Sequence, residues 1–246
     1  MRLVDAAELG RRLSMRAAVD ALEAAFAAGV PETPLRGQVP TPDGRLYLMP
    51  AAAALGAGVK LISLTPANPG RGFPFIQGVY VLFSPGDQRP EAVIEGGALT
   101  ALRTGAVSAL ATRWMANEDA HRLVVFGAGV QARSHVTGMR AVRPIDDVVV
   151  VSRTRPPAET LAGEVGGRVG APEDVRDADI VCTCTTSAEP LFDGSWLTVG
   201  THLNAVGAYA PDARELDTVA VSRARVVVET REGCPRGGGG STDPAR

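Results

Sequence analysis

Cysteine is too scarce in this chain to staple it. Three occur in 246 residues: Cys182 and Cys184 in the run DIVCTC, and Cys234 in a glycine-rich tail. Alternate side chains of a strand share a face, so Cys182 and Cys184 read as two small apolar groups on one side of one strand. The three histidines are scattered, and no His/Cys cluster has zinc spacing, so no metal is expected. Aromatics make up only 4% of residues. Neither sign of charge is in excess: the formal net charge is −2, which offers no footing for nucleic acid or a membrane surface. No apolar run reaches the roughly 18 residues of a membrane span. The N-terminal MRLVDAAELGRR lacks the apolar core of a signal peptide. These absences read as a cytoplasmic globular protein with no nucleic-acid and no membrane partner.

What is present is ordinary in bulk and informative in pattern. The hydrophobic share of 45% beside 21% charged residues suits a packed core. The length allows one large domain or two modest ones. Residues 15–28 place Ala18, Leu22, Ala25 and Phe26 at helical spacing. The proline-rich VPETPLRGQVPTPDG reads as a loop. Short strand-like pieces follow at 46–50, 59–65, 76–83 and 91–94, separated by turn signals such as Asn68-Pro69-Gly70. Residues 97–116 read as a helix. From 122 onward strands and helices alternate: LVVF, a helix over 130–141, VVVV, a helix near 157–165, DIVCTC, HLNAV at 202–206 and RVVVE at 225–229. That alternation implies α/β architecture with a doubly wound parallel sheet, preceded by an α+β part. The Gly/Ser-rich stretch after residue 232 has the composition of a flexible or aberrant tail.

The sharpest motif is RLVVFGAGVQA. An apolar strand runs into Gly127-Ala128-Gly129-Val130-Gln131-Ala132, the pattern G-x-G-x-x-A, and a helix follows. The first glycine permits a tight turn. The second lets a backbone approach a pyrophosphate, and the small third residue lets helix pack on strand. The helix N-terminus then offers free N–H groups to the phosphates. Glycine turns between strand and helix also occur without ligands, so the next strand matters. DVVVV ends in Ser152-Arg153-Thr154. At that tip an acid would bond the ribose 2′-hydroxyl of NAD(H), whereas arginine suits the 2′-phosphate of NADP(H). The acid is absent. A guanidinium can clamp a phosphate with paired bonds, and the two hydroxyls can add to it. NADP(H) is therefore the expected cofactor and NAD(H) the alternative. A solvated arginine in a polar turn is the competing reading.

Five segments together carry a resemblance: LYLMPA at 46–51, GVKLISLTPANPGRGFPFIQG at 58–78, ALTALRTGAVSALATRWMA, VVFGAGVQARSHV, and NAVGAYAPDARELD at 204–217. In that order they resemble the ornithine cyclodeaminase/mu-crystallin family, from about residue 3 to about residue 232. The resemblance implies a homodimer whose chain has a substrate-binding and dimerisation domain (1–115) and a Rossmann domain (116–232), with 233–246 as tail. It implies hydride transfer between NAD(P) and the α-carbon of a small amino or imino acid. It assigns substrate contacts to Arg36, Met49, Lys60 and Arg103, with Lys60 and Arg103 as catalytic candidates. Thr104, Thr185 and Val206 join Gly127, Gly129, Val130, Gln131, Ser152, Arg153 and Thr154 as expected cofactor contacts. The chemistry of the residues agrees. Arginine offers a fork for a carboxylate, and Lys60 lies in an apolar run where an unpaired ammonium is costly. Arg103 likewise interrupts an apolar, small-residue helix. Each has a bland competitor: Arg36 as a solvated loop cation, Met49 as packing.

Two departures shape the expected activity. Cyclodeaminases of the family carry an Asp where this chain has Tyr209, and tyrosine is a poor base at neutral pH. Tyr209 then counts as a substrate-side residue, and reduction of a ketimine or of 1-pyrroline-2-carboxylate is favoured. Cyclodeamination, an alanine dehydrogenase-type reaction, and a non-catalytic NADP-binding protein are the alternatives. Asp212 and Glu215 read as surface acids. The second departure is length: family chains usually continue where the glycine tail begins, so this reading expects a truncated or frame-shifted end.

Overall fold

The computed structural model describes residues 1–29, 33–34, 36–54, 56–208 and 213–229. The chain divides into two compact units, Met1–Arg103 and Thr104–Arg246.

The first unit holds β1 (Arg2–Val4), α1 (Ala6–Arg12), α2 (Met15–Ala27), β2 (Gly37–Thr41), β3 (Gly44–Ala53), β4 (Gly56–Leu64), β5 (Ile76–Phe83), β6 (Pro90–Glu95) and the start of α3 (Gly96–Met115). Its six-stranded sheet runs β1-β6-β5-β4-β3-β2 and is antiparallel except where β1 pairs β6. Side chains supply the amide partners that helix starts lack. Asp5 accepts from Glu8 N–H at 2.7 Å and Ser14 from Ala17 N–H at 3.2 Å. Glu95 takes the first amides of α3, Gly97 and Ala98, at 2.8 and 2.6 Å. On β4 the alternation buries Gly58, Lys60 and Ile62 on one face.

The proline-rich stretch expected to be loop contains β2. Pro40 is tolerated there because β2 is an edge strand, where a missing N–H breaks no ladder.

In the second unit, β7 (Arg122–Phe126), α4 (Val130–Val142), β8 (Asp147–Val151), α5 (Arg155–Val165), β9 (Arg168–Val169), β10 (Ile180–Thr183), β11 (His202–Ala205) and α6 (Thr218–Arg223) follow one another. All five strands are parallel, in the order β11-β10-β7-β8-β9. Read from β9, that is the first five strands of the Rossmann order 3-2-1-4-5-6, with the topological switch between β7 and β10. Both faces are covered, as near-continuous apolar strands require. Val124, Phe126, Val149, Val151 and Val181 pack with Val175, Phe192, Leu197 and Ala220, and the Phe126 and Phe192 rings stack at 5.3 Å. The alternate residues, among them Leu123, Val150 and Cys182, are buried on the opposite face, which includes Met139 of α4.

Residues 104–115 of α3 lie close against α4. A Cβ on Gly138 would stand 2.7 Å from the Gly105 carbonyl oxygen. Buried between them, Ser108 Oγ meets His135 Nε2 at 2.9 Å, while His135 Nδ1 donates to the Gln131 carbonyl at 2.7 Å. Arg143 gathers the carbonyls of Thr112, Arg113, Ala116 and Asn117 at 2.7–3.0 Å, closing the C-terminal end of α3.

The run RVVVE at 225–229, expected as a strand, is not one. It pairs with neither sheet, and Val226 and Val227 are more than half exposed. Among the described residues no helix is long and apolar enough to cross a membrane.

Candidate cofactor and substrate sites

The turn after β7 has the geometry a dinucleotide needs. Gly127 adopts φ 102°, a conformation other residues rarely take, and donates its N–H to Val151 O at 2.8 Å. A Cβ there would meet the Cys184 carbonyl oxygen at 2.5 Å. Gly129, the N-cap of α4, differs: a Cβ there would meet nothing within 4 Å, and no side chain caps the helix. The amides of the first turn of this 13-residue helix are therefore presented beside open space, where an anion fits. Val130 is exposed in that turn, and Gln131 has a buried side-chain oxygen without a hydrogen-bond partner among the described residues. The residues present fit a nicotinamide dinucleotide.

At the tip of β8, Ser152 is half-buried and accepts weakly from Thr154 N–H at 3.4 Å. Arg153 and Thr154 are exposed. No acid stands among the three. Arg155, next along, pairs with Glu159 at 2.7 Å.

The exits of β10 and β11 are tied to one carboxylate. Glu215 is 2% exposed, which corrects its reading as a surface acid. Its Oε1 accepts from Thr185 N–H at 2.7 Å and Thr185 Oγ1 at 2.6 Å. Its Oε2 accepts from Gly207 N–H at 2.6 Å and Thr183 Oγ1 at 2.8 Å. The Thr185 hydroxyl, expected at the cofactor, donates to Glu215 and accepts from Ser187 N–H at 3.1 Å. Val206 is half-buried and donates its N–H to Thr183 O at 3.1 Å. A lone Glu in a polar stretch carries no local signal of burial; the signal lay in Thr183, Thr185 and Gly207, small donors at two strand exits.

In the first unit, strand register assembles part of the expected substrate set. Met49 lies opposite Lys60, and Lys60 opposite Tyr80, in one row across β3, β4 and β5. Lys60 is buried, 9% exposed. Tyr80, missed in the sequence, leans its phenol over Gly58 on the same face, and burial pushes its pKa up. Arg36 is exposed and sits one residue before β2, whose Gly37 pairs Leu48; the same register continued would set it beside Met49. Arg103 is half-buried on α3, followed by half-buried Thr104, the first residue of the second unit. Tyr209 and Asp212 lie outside the described residues.

Cys182 and Cys184 hold their protons. Burial pushes the first to about 12, and burial with the neighbouring thiol and Glu215 pushes the second well above the ordinary thiol range. Among the described residues no group of His, Cys, Asp or Glu could hold a metal ion.

A parallel sheet of this order, with an uncapped helix rising from a glycine turn at its switch point, defines a dinucleotide-binding α/β protein. Comparison with known proteins narrows the class. The chain belongs to the ornithine cyclodeaminase/mu-crystallin family, whose model matches residues 2–240. It is 36% identical over 220 residues to a Delta(1)-pyrroline-2-carboxylate reductase of Bacillus cereus, covering 84% of this chain and 67% of the relative. It is 37% identical over 207 residues to the ketimine reductase mu-crystallin of Rattus norvegicus, covering 81% and 66%. Among solved structures it is similar to the Delta(1)-pyrroline-2-carboxylate reductase of Thermococcus litoralis in complex with NADH and L-proline. That match has TM-score 0.91 at 31% identity, over 97% of this chain and 79% of the other. The chain spans about two thirds of the length of the curated relatives it matches.

Proposed function

We propose that this chain is an NADPH-dependent reductase of small cyclic imino acids, of the ketimine or 1-pyrroline-2-carboxylate type, working as a homodimer. The observation that carries the reading is the Gly127–Gly129 turn at the mouth of α4, in a chain whose relatives reduce such imines. The absence of a carboxylate at Tyr209 supports reduction over cyclodeamination, which needs a base to manage water and departing ammonia.

The cofactor, when bound, supplies hydride to the carbon of a C=N group. The protein binds the dinucleotide phosphates on the open amides of α4, and Arg153 with Ser152 and Thr154 holds the 2′-phosphate. Arg36, Lys60 and Arg103 hold the substrate carboxylate beside Met49, and Lys60 keeps a proton available to the imine nitrogen. The functional division is residues 1–115 for substrate and dimer contacts and 116–232 for cofactor. It runs later than the packing division at Arg103, which falls within the helix that carries both Arg103 and Thr104.

The test supplies NADPH or NADH with 1-pyrroline-2-carboxylate and a panel of cyclic ketimines, and follows loss of the dihydronicotinamide absorbance. Turnover with NADPH preferred is the expected result. Proline and ammonia formed from ornithine, with no imine reduction, would replace it with cyclodeamination.

A further inference from the structure

Among the described residues Glu215 is the one buried carboxylate, and the proposed reduction does not use it. We propose that it is a positioning residue that fixes the exits of β10 and β11 for the nicotinamide half of the cofactor. The inference rests on the dinucleotide reading of the second unit.

The bonding is specific to a carboxylate. Each oxygen holds one backbone N–H and one threonine hydroxyl: Thr185 N–H and Thr185 Oγ1 on one, Gly207 N–H and Thr183 Oγ1 on the other. Backbone amides only donate, so both oxygens must accept. A buried carboxylate is costly unless it is bonded, and these four donors are what offsets the cost. The donors come from the exits of two neighbouring strands, so one side chain sets the spacing of both. Its own backbone is pinned, because Leu191 N–H donates to Glu215 O at 2.9 Å. Gly207 leaves room for it: a Cβ there would stand 2.6 Å from Oε1.

The clamp reaches the glycine turn through packing. Glu215 holds Thr185, and the preceding Cys184 carbonyl is the atom a Cβ on Gly127 would strike. A dinucleotide lies across the switch point between β7 and β10. Its adenosine half belongs at the tip of β8, beside Arg153, which leaves the exits of β10 and β11 for the other half. All four bonds to Glu215 are made within the protein, so it acts through the strand exits and not by touching the ligand.

Glu215→Gln separates this role from bulk stability. Whichever way the amide turns, its NH2 faces a backbone N–H, so one exit is released while side-chain volume is kept. Titration of the full chain follows NADPH and, separately, 2′,5′-ADP, which carries only the adenosine half. E215Q is expected to weaken NADPH about tenfold or more, leave 2′,5′-ADP within about twofold, and lower kcat. Unchanged NADPH affinity, or equal weakening of both ligands, would overturn the proposal. If E215Q does not fold, Thr183→Val decides in its place: it removes one hydroxyl bond, and a smaller loss confined to NADPH is expected. Equal losses, or none, would again overturn it. A parent chain that binds neither NADPH nor NADH would instead sink the dinucleotide reading itself.

Discussion

The two sheets of this protein solve burial differently. In the second unit β7, β8 and β10 are buried along almost their whole length, and both faces are covered by elements of the same unit. In the first unit only alternate residues of β4 are buried, β2 is exposed throughout, and Val39 and Val79 are 49% and 37% exposed. Parallel strands need crossovers, and crossovers lay cover on the faces; antiparallel hairpins impose no such cover. The central strands of the second unit are therefore enclosed by elements of that unit. The first unit leaves apolar sheet surface that its own helices do not cover.

That contrast can be broken at four points. Gly127→Val is expected to act most. It sets a branched side chain at φ 102° and against the Cys184 carbonyl, so the turn must move. Dinucleotide affinity should fall roughly a hundredfold or more in a fluorescence titration. Retained affinity would mean that the turn does not shape the site. Next come paired leucine truncations, one buried and one exposed, read by chemical denaturation. Leu161→Ala, in a fully buried position of α5, is expected to cost about 2–5 kcal/mol. Leu3→Ala, at 72% exposure on β1, should cost about 0.5 kcal/mol or less. Similar costs at both sites would erase the difference between the units.

A smaller effect concerns cofactor choice alone. On the proposed reading, Arg153→Ala removes a charge-assisted bond to the 2′-phosphate worth about 1.5–3 kcal/mol. It should weaken NADPH about ten- to a hundredfold and leave NADH nearly unchanged. A parent protein that binds both equally would end the assignment.

The smallest effect is a pH dependence confined to the second unit. Burial lowers the pKa of His135, against the opposing pull of its bond to Gln131 O and of Glu215, so the folded state holds it neutral. The unfolded chain then binds the proton more readily. Stability is unaffected above the ordinary histidine value of about 6.5 and is lost as pH falls below it. Replacement by Asn should flatten that part of the melting-temperature profile. An unchanged slope would assign it to other groups, of which His202, also held neutral by burial, is the nearest in kind.

Much of this architecture is written locally. The helices over Met15–Ala27 and Val130–Val142, the strands around Lys60 and Tyr80, and the G-x-G-x-x-A turn follow from spacing, because each depends on which neighbours lie within a few residues. Three features do not. β2 is a strand despite Pro40, because it has β3 on one side and, among the described residues, no strand on the other. Residues 225–229 have a strand's composition but no partner strand among the described residues, and a strand exists only by pairing. Glu215 is buried because donors from two separate strand exits, Thr183 and Thr185 at one and Gly207 at the other, meet on it. Composition and periodicity determined which segments could be helix or strand and where a dinucleotide could dock. Tertiary structure decided which edges pair, which acid is enclosed, and that Met49, Lys60 and Tyr80 stand in one row, because each of these is a relation between segments that register alone creates.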